Sequence, residues 1–114
     1  MTEPLGWHWL AQVTGCAAPL DDVAHLEQLL TTLSTELALT VMAPPRVQAI
    51  EGGFAGIVLL GESHAAIHTR VAERAALVDV FSCVPLDPAV AEGVIRAALR
   101  PEAVVAELVE RRAP

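Results

Sequence analysis

The sequence predicts an α+β fold in which one antiparallel sheet carries two helices on the same face. The chain has 114 residues, of which 54% are hydrophobic. Two segments show helical spacing of apolar residues, and the remaining apolar segments are short and bounded by turn residues. A chain of this length and composition forms a single domain, residues 1–114, with a sizeable core.

The first predicted element is a strand over residues 5–13, where aromatic and apolar residues occupy alternate positions before Thr14 and Gly15. A helix follows, because Asp21 or Asp22 can cap it and leucines recur at helical spacing. This stripe consists of Leu26, Leu29, Leu30, Leu33 and Leu37.

The middle of the chain is predicted to form adjacent antiparallel strands. An extended stretch over residues 40–51 is interrupted by Pro44 and Pro45 and ends at a Gly52–Gly53 turn, and we expect it to form the wall of a pocket. Residues 54–61, 65–69 and 76–83 are short and rich in residues that favour strands, which indicates two or three neighbouring strands.

The last predicted elements are a helix that begins at Asp87–Pro88 and a strand over residues 103–109, separated by Pro101. The apolar stripe of this helix consists of Val90, Val94, Ile95, Ala98 and Leu99. This order of elements favours a two-layer α/β sandwich. Because the central strands are apolar on both faces, we expect a second copy to cover the free face and to give an αββα homodimer.

Composition excludes several classes of function. The formal net charge of −7 is unfavourable for binding nucleic acid or anionic membrane surfaces. All seven basic residues are arginine, so no side-chain amine can bind pyridoxal phosphate. The two cysteines and the lack of an export signal favour a reducing cytoplasm. The longest apolar run, residues 52–61, is about half of the roughly 20 residues that a membrane helix needs.

Residues 61–83 concentrate the side chains that could carry chemistry. His64 and His68 are four residues apart and share one face of a strand, whereas Ser63 points to the other face. Ser63 and His68 can therefore cooperate only if the chain bends or breaks at the serine. The two histidines lack cysteine or acidic partners at ligand spacing, so no metal site is expected.

This window resembles the prokaryotic S-adenosylmethionine decarboxylase proenzymes. The resemblance rests on Glu62-Ser63-His64, His68-Thr69 and Val78-Asp79-Val80-Phe81 leading to Cys83. It extends to Leu5, Gly6, His8 and Asp87-Pro88, so it covers nearly the whole chain.

The resemblance implies self-cleavage between Glu62 and Ser63, into a β chain of residues 1–62 and an α chain of residues 63–114. Ser63 would become a pyruvoyl group, whose ketone forms a Schiff base with the substrate amine and takes up the electron pair left by carbon dioxide. His68 would remove the Cα proton during cleavage, and Cys83 would protonate the decarboxylated carbon. The implied function is a pyruvoyl-dependent carboxy-lyase of polyamine biosynthesis.

Several positions depart from the family pattern. Residues 70–72 replace a Trp-Pro-Glu sequence, Ala55 replaces a serine that assists cleavage, and Ala49 replaces an aromatic residue that stacks on adenine. The substrate therefore stays open between S-adenosylmethionine and L-ornithine or L-arginine.

A substrate with a distal amine or guanidinium would need an acidic partner, for which the candidates are Glu51, Glu73 and Asp79. The alternative function is a catalytically silent paralogue that pairs with an active subunit and regulates it.

Overall fold

A computed structural model describes residues 3–114 of the chain. In chain order the elements of this range are β1 (Gly6–Thr14), α1 (Val23–Glu36), β2 (Arg46–Ile50), β3 (Gly53–Leu59), β4 (Ser63–Arg70), β5 (Ala75–Ser82), α2 (Pro88–Leu99) and β6 (Ala103–Arg111). The strands form one antiparallel sheet in the order β2-β3-β4-β5-β1-β6. The predicted α+β fold class is confirmed.

Helix α1 begins where the sequence predicts it. The Asp22 side chain accepts a hydrogen bond from the backbone N–H of His25 at 3.2 Å, which satisfies one of the free donors of the first turn. Four leucines of the predicted stripe, from Leu26 to Leu33, are buried. The fifth, Leu37, is the C-cap residue of the helix and packs, partly buried, against the core. Burial of this stripe fixes which side of the helix faces the sheet.

Helix α2 is capped by Asp87, whose carboxylate accepts from the N–H of Ala89 at 3.0 Å. Its fully buried residues are Ala91, Ile95 and Leu99. Of the predicted apolar stripe, Val94 and Ala98 are partly buried against the core, and Val90, one turn earlier, is also partly exposed.

The boundaries of several strands also differ from the prediction. Residues 40–42 contribute only a single bridge, between Val41 and Leu60, rather than a strand. Strand β6 continues to Arg111, two residues beyond the predicted end. Strand β4 starts at Ser63 itself, so the predicted cleavage point lies at the entrance to a strand.

The sheet has one covered and one uncovered face. Side chains that include Trp9, Val58, Ile67, Val78 and Val80 are buried between the sheet and the two helices. The opposite side, called the open face below, presents large apolar side chains to solvent: Ile57 (43% exposed), Leu59 (60%), Leu77 (53%) and Val105 (67%). No helix within residues 3–114 is long and apolar enough to cross a membrane.

Candidate functional site

The Glu62–Ser63 peptide lies in a tight bend between β3 and β4. The backbone N–H of Leu60 donates to the carbonyl oxygen of Ser63 at 3.0 Å, which closes the bend across Gly61 and Glu62. Glu62 and Ser63 are both partly exposed. The sequence requires a bend or break at Ser63 if Ser63 and His68 are to cooperate; the bend seen here precedes β4 and leaves the two side chains on opposite faces of that strand.

The resemblance implies cleavage of the Glu62–Ser63 peptide bond, and the two groups that would react there have different surroundings. The carbonyl oxygen of Glu62 accepts a hydrogen bond from the backbone N–H of Cys83 at 3.2 Å. The Oγ of Ser63 is buried and has no hydrogen-bond partner among the described residues. A buried hydroxyl without a partner is unusual and calls for a functional or local explanation. The Glu62 carbonyl thus accepts a hydrogen bond, while the adjacent Ser63 hydroxyl makes none with the described residues.

His68 does not lie near Ser63 within one chain. Ala65, Ile67 and Thr69 are fully buried towards the helices, so the alternation of β4 places His64 and His68 on the open face. The five-residue separation of Ser63 and His68 corresponds to roughly 17 Å along a strand. The predicted nucleophile and the predicted base therefore do not meet within one copy of the chain.

The two cysteines have different environments. Cys83 directly follows β5 and is exposed, whereas Cys16 is 3% exposed. Burial raises the pKa of the Cys16 thiol, and the positive charge of Arg74 opposes this effect. Cys83 is the exposed one of the two, and its backbone N–H bonds to the Glu62 carbonyl, which places it in space beside the Glu62–Ser63 bend.

A cluster of polar and aromatic side chains lies on the open face near the bend. Nε2 of His8 is 3.4 Å and Nε2 of His64 is 3.7 Å from Oδ1 of Asp79. The Phe81 ring stacks on His64 with centroids 5.9 Å apart and meets His8 edge-on at 5.8 Å. Sequence reasoning did not predict this cluster, because its members come from β1, β4 and β5.

A recess of about 340 Å³ surrounds His68 on the open face. It is lined by Arg46, Gln48, Ile50, Ala55, Gly56, Ile57, Ala66 and His68. Of the stretch over residues 40–51, the part that lines this recess is the strand β2 and not the loop before or after it. Gln48 and Ile50 line the recess, whereas Ala49, the expected adenine-stacking position, does not. A larger groove of about 490 Å³ between α1 and α2 contains none of the predicted site residues.

The three predicted acidic ligands do not line this recess. Glu51 lies in the turn between β2 and β3, and Glu73 pairs with Arg70 at 3.1 Å in the turn between β4 and β5. Asp79 is held by the two histidines of the cluster. Residues 3–114 contain no group of three or more His, Cys, Asp or Glu side chains that could hold a metal ion.

Comparison with known proteins identifies relatives of this chain. The family model described as S-adenosylmethionine decarboxylase matches residues 7–112. An S-adenosylmethionine decarboxylase proenzyme of Symbiobacterium thermophilum is 36% identical over 81 residues, which are 70% of this chain and 61% of that protein. An S-adenosylmethionine decarboxylase proenzyme 2 of Halalkalibacterium halodurans is 30% identical over 110 residues, which are 95% of this chain and 85% of that protein.

A similar fold is known from a crystal structure. The adenosylmethionine decarboxylase of Aquifex aeolicus VF5 superposes with a TM-score of 0.82 and 29% sequence identity, covering 98% of this chain and 94% of that one. The matched part spans only 61–64% of the length of several curated relatives. Nevertheless, the family model covers nearly every element of the fold, from β1 to β6. The chain therefore belongs to the S-adenosylmethionine decarboxylase family.

Proposed function

We propose that the chain is a proenzyme that cleaves itself between Glu62 and Ser63 and then decarboxylates S-adenosylmethionine with a pyruvoyl group made from Ser63. One observation carries this proposal: the buried Oγ of Ser63, which has no hydrogen-bond partner among residues 3–114, adjoins a carbonyl whose oxygen accepts the Cys83 N–H at 3.2 Å. A donor at that oxygen would stabilise the negative charge that develops when the carbonyl is attacked.

The proposed cleavage uses only protein groups and water. Oγ of Ser63 attacks the carbonyl carbon of Glu62, the bond from that carbon to the Ser63 nitrogen breaks, and the hydroxyl proton moves to the released amine. The resulting ester joins residues 1–62 to the serine oxygen. Removal of the Cα proton of Ser63 then expels the Glu62 carboxylate and leaves a dehydroalanine, whose hydrolysis releases ammonia and leaves the pyruvoyl group.

Two further side chains have proposed roles in this chemistry. The pyruvoyl group would supply a ketone that binds the substrate amine and accepts the electron pair released with carbon dioxide. His68 would take the Cα proton of Ser63 during cleavage, since an imidazole exchanges protons near neutral pH. The exposed thiol of Cys83 would donate a proton to the decarboxylated carbon.

We also propose that the functional unit is a homodimer formed through the open face. Within one chain, His68 is roughly 17 Å along the strand from Ser63 and on the other face, so a second copy must supply the imidazole. The exposed apolar side chains of the open face, among them Leu59, Leu77 and Val105, favour burial against another surface. A face-to-face pair would give the αββα layers expected from the sequence.

The lining of the recess supports S-adenosylmethionine over ornithine or arginine. Its polar groups, from Arg46, Gln48 and His68, are mainly hydrogen-bond donors, and none of its lining residues is acidic. A distal ammonium or guanidinium would therefore lack a counter-charge there, whereas a substrate rich in acceptor atoms would find donors. No observation favours a silent regulatory paralogue.

Mass spectrometry of the purified protein tests the proposed cleavage. We expect the native chain to separate into residues 1–62 and 63–114, with a pyruvoyl group at the start of the second fragment. Ser63→Ala should stay intact, because it lacks the attacking hydroxyl, and Ser34→Ala is the control because it removes another buried serine hydroxyl. A native chain that stays intact after long incubation would contradict the proposal and favour the silent paralogue.

Substrate choice is tested on the cleaved protein by release of carbon dioxide from S-adenosylmethionine, L-ornithine and L-arginine, measured side by side. We expect release from the first compound only. Release from ornithine or arginine alone would overturn the substrate assignment while leaving the cleavage mechanism in place.

A further inference from the structure

Ser63 lies directly opposite Ser82 of the neighbouring strand. In the register of β4 and β5 these residues are partners. The backbone N–H and carbonyl of Ser63 both bond to Leu60, at 3.5 and 3.0 Å, and the N–H of Cys83 bonds to Glu62. This pattern marks a non-hydrogen-bonded pair, in which the Cα atoms are about 4.5 Å apart and the side chains are closest. The two hydroxyl-bearing side chains are therefore close cross-strand neighbours.

Both hydroxyls have unused hydrogen-bonding capacity. Ser82 is 0% exposed, and its Oγ accepts from the backbone N–H of Val84 at 3.0 Å. A serine oxygen has two lone pairs, so this contact leaves Ser82 able to accept one more bond. The buried Oγ of Ser63 has no partner within residues 3–114.

The other buried hydroxyl on this side of β4 is already in use. Oγ1 of Thr69 donates to the carbonyl of Leu20 at 3.1 Å and accepts from the N–H of Phe54 at 3.0 Å. Position 55, on β3, carries an alanine and offers no hydroxyl. Ser82 is thus the hydroxyl that the register places beside the nucleophile.

We propose that Ser82 is a positioning residue for self-cleavage, a role that rests on the proposed function. The hydroxyl of Ser63 donates its hydrogen to Oγ of Ser82, which the N–H of Val84 holds in place. The remaining lone pairs of the Ser63 oxygen then point towards the carbonyl carbon of Glu62. Ser82 gains and loses no proton in the step; it restricts the rotation of the attacking group, which lowers the entropic part of the barrier.

The test compares variants of Ser82 that differ only in the hydroxyl. Ser82→Thr keeps the hydroxyl, and Ser82→Val has nearly the same shape without it. We expect Ser82→Val to cleave about tenfold more slowly than Ser82→Thr, because misorientation of a reacting group costs at least this factor. Intact-mass spectra over time give the cleavage half-time, and thermal unfolding of the uncleaved chains gives their relative stability.

Ser34→Ala is the matched control, because Ser34 is also a fully buried serine but lies in α1, where its Oγ donates to the carbonyl of Leu30 at 2.8 Å. This control should cleave at the native rate. Equal rates for Ser82→Val and Ser82→Thr would overturn the inference, as would an equal slowing by Ser34→Ala. If the native chain stays intact, the proposed function fails as well. If the native chain cleaves and Ser82→Val and Ser82→Thr cleave at equal rates, only the role of Ser82 is refuted.

Discussion

At the scale of single residues, Cys83 carries two groups with separate proposed uses. Its backbone N–H donates to the Glu62 carbonyl oxygen at 3.2 Å, and its side chain is exposed beyond the end of β5. The first group belongs to cleavage and the second to turnover. A side-chain substitution removes the thiol and leaves the N–H in place, so the two uses can be separated by experiment.

Cys83→Ala is therefore expected to cleave normally and to release carbon dioxide at least about 100-fold more slowly, the usual range for loss of a positioned proton donor. Intact-mass spectra and a carbon dioxide assay measure the two steps on one preparation. Cys16→Ala is the control, because Cys16 is buried and its raised pKa keeps it a thiol. Full turnover by Cys83→Ala would remove the thiol from the mechanism.

At the scale of elements, the alignment of β3 with β4 depends on close packing at one glycine. A Cβ atom at Gly53 would lie 1.8 Å from the carbonyl oxygen of Thr69. The next residue, Phe54, donates its N–H to the Thr69 hydroxyl, so the two strands are joined here by a side chain. This contact involves Thr69, the residue next to His68 on β4, and lies on the covered face of the sheet.

Gly53→Ala should destabilise the protein by about 2 kcal/mol, because backbone must move away from backbone to relieve the overlap. Gly93→Ala should have the opposite effect and stabilise the protein. A Cβ there meets nothing within 4 Å, and alanine is a better helix former by about 1 kcal/mol. Urea unfolding of the Ser63→Ala background measures both without interference from cleavage. If Gly53→Ala left the free energy of unfolding unchanged, the contact with Thr69 would not be tight in solution.

Elements could be predicted from the sequence where their signals are local. Asp22 and the leucines of α1 lie within a few turns of one another, and Asp87 with Pro88 marks the start of α2 as clearly. The opposite facing of Ser63 and His68 also follows from strand alternation alone.

The rest of the site depends on pairings that are remote in sequence. His8 and Asp79 are 71 residues apart, and only the antiparallel pairing of β1 with β5 brings them together. Strand β2 lies at the sheet edge and is largely exposed on both sides, so its composition does not reveal that Gln48, rather than Ala49, lines the recess. That Ser63 lies opposite Ser82 likewise depends on the register between β4 and β5, which the sequence does not reveal.

At the scale of the whole molecule, the open face carries both the recess around His68 and the exposed apolar side chains. The proposed second copy would bury these side chains, and in this dimer its His68 would have to reach the Glu62–Ser63 bend. The apolar central strands already predict such a partner from the sequence, and the separation of Ser63 from His68 in the structure adds a chemical reason for it.

Coexpression of Ser63→Ala with His68→Ala tests this arrangement. Each variant alone should yield no pyruvoyl fragment, but the mixed dimer contains one site with an intact serine from one copy and an intact histidine from the other. We expect mass spectrometry to find pyruvoyl fragments derived only from the His68→Ala chain, identified by a mass tag. Absence of that fragment in isolated mixed dimers would show that both groups act within one chain.

The opposite facing of Ser63 and His68 on β4 has a consequence for timing. A newly synthesised chain that needs a neighbour's imidazole stays an inert precursor until it encounters another. Activation would then follow second-order kinetics at low protein levels. The rate at which active enzyme appears would depend on the concentration of the uncleaved precursor.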